Sequence, residues 1–284
     1  MSASNADEQR AESRERWDRA AAGWGKRAER VREHGMPVSM WMIDRVGLHP
    51  GERVLELAAG PGDTGFLAAE LIRPGGTLIS SDASERMLEI ARARAAQLGI
   101  ANVEFAELEL EWIDLETASV DVILCRWGVM LSVDPDAAAR EARRVLKPGG
   151  RIALAVWDEP QHNPWATIPG RVLVDRGLAG PPDPDAPGMF ALAAPGRLAD
   201  LLESAGFLDV VVEAVTIERA YPSVERFVDE TLDLSPMFAD VFLELDEDGQ
   251  RPLQAEIERL AVPFATPDGG IVLPGQTLVA AASA

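Results

Sequence analysis

Between Arg53 and Trp157 the chain alternates short apolar runs with longer amphipathic ones, and this alternation constrains the fold more than any other feature. Arg53 to Ala58 reads as a buried strand, Thr64 to Ile72 as a helix, Thr77 to Ser81 as a strand and Ser84 to Leu98 as a helix. Val103 to Ala106 and Val120 to Cys125 follow as strands, then Pro135 to Leu146 as a helix and Arg151 to Trp157 as a strand. Strands of this kind, each followed by a helix, build a parallel sheet covered on both faces. Pro74-Gly75-Gly76 and Pro148-Gly149-Gly150 sit where a helix should stop and a strand begin, and Asp82, Ser84 and Asp134 stand where helix N-caps belong. After Trp157 the pattern breaks. Residues 158–196 are rich in proline and glycine around one helical run, Ile168 to Arg176, which predicts an insertion above the sheet. Regular elements resume with a helix at Gly196 to Ala205, a strand at Asp209 to Ile217, a helical stretch from Ser223 to Leu260 and a strand at Thr277 to Ala282. Ahead of the alternation, residues 7–33 carry Trp17, Ala20, Ala21 and Trp24 at helical spacing, and a second helical stretch runs from Pro37 to Val46. The expectation is a doubly wound α/β fold: a seven-stranded, mostly parallel sheet, helices on both faces, a helical N-terminal cover and substrate-side insertions.

Charge narrows the partners. Acidic residues outnumber basic ones 47 to 27, a net charge of −20, which repels a nucleic-acid backbone or an anionic membrane over most of the surface. No run of apolar residues is long enough to span a bilayer, and the charged first thirty residues do not resemble a signal peptide, so a cytoplasmic location is expected. Only Lys26 and Lys147 among the basic residues are lysine, the arginine bias of a GC-rich bacterial genome. A single cysteine, Cys125, and three histidines without metal-type spacing argue against a metal site.

Val54 to Gly65 reads VLELAAGPGDTG, a strand entering a glycine-rich turn and then a helix, with Gly60, Gly62 and Gly65 in the pattern G-x-G-x-x-G. Such a turn lets a ligand approach the backbone at the carboxyl ends of the strands. About twenty residues on, at the end of the second strand, Asp82 could accept hydrogen bonds from a ribose diol. These features suit a nicotinamide dinucleotide and S-adenosylmethionine equally.

VLELAAGPGDTG, SSDASERML, LEWIDL and RVLKPGGRIALAVW stand in the order and spacing of class I S-adenosylmethionine-dependent methyltransferases, and over about residues 50–160 the chain most resembles the ubiquinone and menaquinone biosynthesis type and its small-molecule relatives. The resemblance implies a Rossmann-like single domain: a cover at 1–47, a cofactor-binding core at 48–158, an insertion at 159–195 and a C-terminal part at 196–284. It implies that Glu56 and the backbone at Ala58, Gly60 and Gly62 hold the methionine end of S-adenosylmethionine. Asp82 would bind the ribose, with Ala83 and Met87 against the adenine. Glu109, where the family usually has aspartate, would with Leu110 and Glu111 frame the adenine edge, and Cys125 and Arg126 would offer backbone atoms to its amino group. Trp24 resembles the aromatic that closes over the cofactor in related enzymes.

Methyl transfer is an in-line displacement that needs alignment and dryness more than a base. Should a base be needed, His162, in the loop after the fifth strand, is the candidate; His34 lies in a segment that could close over the site, and His49 reads as a turn residue. Trp127 and Trp165 are candidates to line an apolar or aromatic acceptor pocket. The partners expected are a small-molecule acceptor and, at most, a second copy of the chain. Two other readings stay open: a cofactor-binding protein without turnover, and a nicotinamide-dependent oxidoreductase. The latter lacks the common short-chain signature, because Tyr221 is the only tyrosine and Glu225 stands where that pattern needs lysine. Arsenite methylation would need several cysteines.

Overall fold

The computed structural model describes residues 3–181, 183 and 186–284; residues 182, 184 and 185, within the expected insertion, lie outside the described residues. Two helices lead, α1 (Ala3–Lys26) and α2 (Ala28–Val46), and the chain turns between them at Arg27. The sequence suggested one helix to residue 33 and a second from Pro37; instead Pro37 lies inside α2. The proline forfeits one backbone hydrogen bond, but Val38, Met42 and Val46 bury on the sheet and hold the helix together. The alternation then unfolds as expected: β1 (Arg53–Glu56), α3 (Asp63–Leu71), β2 (Thr77–Asp82), α4 (Glu85–Leu98), β3 (Val103–Glu107), β4 (Val120–Arg126), α5 (Pro135–Val145) and β5 (Leu146–Trp157). Ser84 caps α4 by accepting from Met87 N (3.1 Å), and Asp134 caps α5 by accepting from Ala137 N (2.8 Å), with Pro135 at the first helical position.

Pro148-Gly149-Gly150, expected as a turn, is absorbed into β5. The chain end anchors it there, since Gly149 N donates to Ala284 O (3.0 Å) and Ala284 N to Gly150 O (2.8 Å). Beyond β5 come α6 (Pro164–Asp175), α7 (Arg197–Ser204), β6 (Leu208–Tyr221), α8 (Val224–Leu234), α9 (Pro236–Glu244), α10 (Glu247–Ala261) and β7 (Ile271–Ser283). The single helical stretch expected at 223–260 is therefore three helices. Side-chain caps make the breaks: Ser235 accepts from Phe238 N and Asp246 from Gly249 N, and Pro236 starts α9 where its missing N–H is harmless.

The sheet runs β3-β2-β1-β4-β5-β7-β6, parallel throughout except for β7, which pairs antiparallel with both neighbours. Its central strands are apolar on both faces, with Val54, Leu55, Val122, Ile123 and Leu124 wholly buried. Connections leave β1 and β4 toward opposite sides, so a crevice opens at their carboxyl ends. A second apolar cluster, built on Phe227, Phe238, Phe242, Leu253, Ile257 and Leu273, packs α8, α9 and α10 with α6 against the far ends of β6 and β7, and Trp165 touches both clusters.

Candidate functional site

The crevice is a cleft of about 1060 Å³ counted to its open mouth, ample for a nucleoside-sized ligand. Its floor is made by the turns that leave β1 and β4. Ala58 (φ 49°) and Trp127 (φ 62°) hold left-handed conformations there, each costing a non-glycine residue about 1–3 kcal/mol, the kind of strain concentrated at functional sites. The two turns interlock: a Cβ on Gly128 would overlap that of Ala58. The three loop glycines do different work. Gly60 faces the cleft with open space where its side chain would be. Gly62 starts α3 with its α-carbon against the Phe66 ring, outside the lining, and a Cβ on Gly65 would overlap Glu56 Oε2.

Glu56 is the buried acid of the site. Its carboxylate accepts from Gly65 N (2.7 Å) and Ser80 Oγ (3.4 Å), while Ser81 Oγ donates to its backbone carbonyl (2.7 Å). Burial pushes its pKa up to about 8, only partly opposed by the Gly65 hydrogen bond and the Arg126 charge. Asp82, at the end of β2, accepts from Gly60 N (2.8 Å) on one oxygen and from Ser84 N (3.0 Å) on the other, and burial raises it to about 6 against those bonds. Asp82 thus ties the glycine turn to the start of α4, and Ser84, not Asp82, is the cap.

Of the residues singled out in the sequence, Trp24, Glu56, Ala58, Gly60, Asp82, Ala83, Met87, Glu109, Leu110, Glu111, Arg126 and Trp127 line the cleft together. Glu109 is ion-paired with Arg14, and Glu111 is occupied in accepting from Val133 N (2.8 Å) and Asp134 N (3.1 Å). Arg126 contributes a side chain rather than only backbone, its guanidinium 4.4 Å from the Trp127 ring centre and its Nη2 3.3 Å from Asp63. Five candidates stand apart. Gly62 is a turn residue, as above. Cys125 sits inside β4, paired with Leu154, and its thiol, raised to about 12 by burial, occupies a separate crevice with Leu57 and Val129. His162 is turned away: its Nδ1 lies 2.8 Å from Asp158 Oδ2, and with Glu159 the three place possible ligand atoms within 4.8 Å of one another. Histidine and cysteine spacing alone could not reveal that grouping, because two of its members are acids. His34, on the buried face of α2, and Trp165, beyond Trp157, lie outside the lining.

The sequence reading missed the face that α1 presents: Arg10, Ser13, Arg14 and Trp17 also line the cleft. Their spacing with Trp24 was the available signal. At its far end α1 is clamped to α8 by Trp24 Nε1 donating to Leu234 O (3.1 Å) and by Lys26 on Asp233 (2.9 Å), which Arg27, at the turn into α2, also meets (2.6 Å). Gly128, Leu131 and Ser132, after β4, were missed too; a turn carries no periodicity to announce it.

Comparison with known proteins agrees with this geometry. A family model described as "Methyltransferase domain" matches residues 48–168, the strand, loop and helix units that make the cleft. Nocamycin O-methyltransferase of Saccharothrix syringae is 32% identical over 68% of this chain and 72% of its own length. The ubiquinone/menaquinone biosynthesis C-methyltransferase of Shewanella oneidensis is 32% identical over 43% of this chain, which spans about half, 49%, of that relative. Among solved structures, the YcgJ protein of Bacillus subtilis superposes with a TM-score of 0.59 at 19% identity, covering 88% of this chain and 98% of that one, a likeness of fold. A glycine turn, a buried acid and an aspartate at the end of β2 on this sheet, together with a relative this similar over most of its length, establish that the chain belongs to the S-adenosylmethionine-dependent methyltransferases.

Proposed function

We propose that the chain transfers a methyl group to an oxygen atom of a planar, apolar small molecule, without a general base in the cleft. The observation that carries this reading is the aromatic inner wall. Trp127 lines the cleft, and Trp157, stacked on it at 4.2 Å and met edge-on by Trp165 at 4.7 Å, backs it from behind, so the inner wall is an indole ring held in place by two more. The O-transfer named for the nocamycin enzyme supports the choice of atom.

The residues present suit the cofactor. Glu56, buried beside a glycine whose Cβ would displace it, is the counter-charge for a cationic methionine end; Gly60, with open space where a side chain would be, lets a ligand come close to the turn. Asp82 keeps lone pairs for a diol, and Met87 and Leu108 form an apolar slot for an adenine ring. When bound, S-adenosylmethionine supplies a methyl group on a sulfonium, activated for in-line displacement. The protein's part is to align and to keep water out. Arg126 and Trp127 present the acceptor side, and Trp17 and Trp24, packed edge to face at 5.7 Å, roof the cleft from α1.

Among the described lining residues there is no histidine, cysteine, lysine or tyrosine, and Glu109 and Glu111 are already engaged. Such a lining favours an acceptor that arrives ionised or readily enolised, whose oxygen needs no proton removed. The net charge of −20 disfavours nucleic acid, and no helix among the described residues is long and apolar enough to cross a membrane. The bacterial sources of the relatives support a bacterial enzyme, and the charge supports a free small molecule as its acceptor. The experiment is incubation with methyl-labelled S-adenosylmethionine and a panel of aromatic acids, phenols and enols, read by mass spectrometry. Label gained by an acid or enol oxygen is expected; bound cofactor with no transfer to any acceptor would favour the reading as a binding protein.

A further inference from the structure

Behind Trp127 the inner wall runs into a buried polar cluster that cofactor binding leaves without a purpose. Among the described residues six buried side-chain atoms have no hydrogen-bond partner, and three of them are here: His34 Nε2, Arg126 Nη1 and Arg219 Nε. Each orphaned group of this kind has lost its water without gaining a partner, at a greater cost when it is charged, so three together mark a place that something else completes. The side chains are 5%, 9% and 6% exposed. Arg219 lies with its guanidinium 3.7 Å from the Trp165 ring centre, and Arg126 lies over Trp127, so the indole run joins the two arginines.

The carboxylates around the cluster are already divided. Arg126 meets Asp63 at 3.3 Å, which Arg94 shares at 2.7 Å, and faces the buried Glu56, while Arg30 is paired with Glu33 at 2.8 Å as well as with Glu230. Glu230 is divided among Arg30 (3.5 Å), Arg219 (3.8 Å) and the Tyr221 hydroxyl, which donates to it at 2.8 Å. His34 adds no charge: burial first, then Arg219 and Arg30, press its pKa down to about 3, leaving a neutral imidazole with an unused nitrogen. Above the cluster, α2 carries Gly35, whose missing side chain makes room for Arg126 Nη1, and then Pro37, whose missing N–H loosens the helix there.

We propose that this cluster is the acceptor's anchoring site: Arg126, which borders the cleft, and Arg219, with His34, take the carboxylate of a planar apolar acid whose body lies in the cleft against Trp127. Two planar guanidinium forks and a neutral ring nitrogen match the oxygens of a carboxylate, and the Trp127 indole matches an aromatic or conjugated body. The helix over the site opens at Gly35 to Pro37 to admit it. This rests on the chain being a small-molecule methyltransferase, and names the chemistry of its acceptor.

The test uses the full chain saturated with S-adenosylhomocysteine and titrated by calorimetry with 1-naphthoate and, separately, with the uncharged 1-naphthalenemethanol. The acid should bind at least tenfold more tightly than the alcohol, and Arg219→Gln should remove that preference while S-adenosylhomocysteine affinity is unchanged. If that variant fails to fold, Arg219→Lys, which keeps the charge opposite Glu230 but loses the fork, should weaken the acid at least fivefold. Equal binding of acid and alcohol, or an undiminished preference in the variant, overturns the anchoring site alone. Failure of S-adenosylhomocysteine itself to bind would instead overturn the methyltransferase reading.

Discussion

In the ligand-free cleft Glu56 is a neutral acid at pH 7, because burial lifts its pKa to about 8. A cationic ligand reverses that preference, so binding S-adenosylmethionine should expel the proton. Ionising Glu56 at pH 7 costs about 1.4 kcal/mol, one pKa unit. A contact between opposite charges at an effective dielectric of about 20 returns roughly 4 kcal/mol. The net contribution is then about 2–3 kcal/mol, and Glu56→Gln should weaken binding on the order of a hundredfold. Calorimetry in two buffers of different ionisation enthalpy counts the proton: about nine-tenths of one released per wild-type site at pH 7, close to none from the variant. Affinity should rise nearly tenfold per pH unit from 6.5 to 7.5, since the sulfonium keeps its charge throughout. Asp82, raised to about 6, adds to this dependence only below that pH. Proton release below about two-tenths, or equal in protein and variant, would refute the assignment of Glu56 as the buried counter-charge.

The same acid fixes a stability prediction. Its pKa is raised on folding, so its favourable contribution is complete below about 4.5 and is lost as pH climbs through 8; the ligand-free wild type should lose melting temperature from pH 5 to 8, and Glu56→Gln should flatten that loss. Gly65→Ala would drive a methyl group into Glu56 Oε2, with Leu78 Cδ2 closing the other side; overpacking should cost about 1–3 kcal/mol, and a wild-type melting curve with wild-type cofactor affinity would contradict the cradle. His162→Ala should leave methyl transfer within twofold of wild type with and without a chelator, because the ring is spent on Asp158 outside the cleft; a large loss would restore it as a base or ligand. The roof that α1 makes through Arg14 on Glu109 and Ser84 on Asp18 should close with cofactor, so proteolysis within residues 3–26 should slow when S-adenosylhomocysteine is added, and an unchanged rate would remove the idea of a closing cover.

The central fold was legible because its signals are local and repeated. The apolar runs of β1, β4 and β5 flanked by turn glycines need no tertiary information, and neither do the caps at Ser84 and Asp134. Helix boundaries read less well where long-range contacts overrule local ones. Pro37 should have started a helix, but burial of Val38, Met42 and Val46 carries α2 through it, and the division of residues 223–260 rests on caps at Ser235 and Asp246 that look like any serine or aspartate in sequence. At the cleft, Glu56, Gly60 and Asp82 announced themselves by position at strand ends. The roles of Arg126, Arg219 and His34 did not, since they come from α2, β4 and β6 and meet only because the β6–β7 pair brings residue 219 alongside Trp165. His162 shows the converse, a residue plausible by chain position that the fold turns to a neighbouring acid.

Calorimetric titration of the full chain with S-adenosylmethionine, with NADH run in parallel, tests the account most directly. Micromolar binding of S-adenosylmethionine, weakened at least tenfold by Asp82→Ala and unmatched by NADH, is the result predicted. Binding of NADH alone, or of neither, would contradict it.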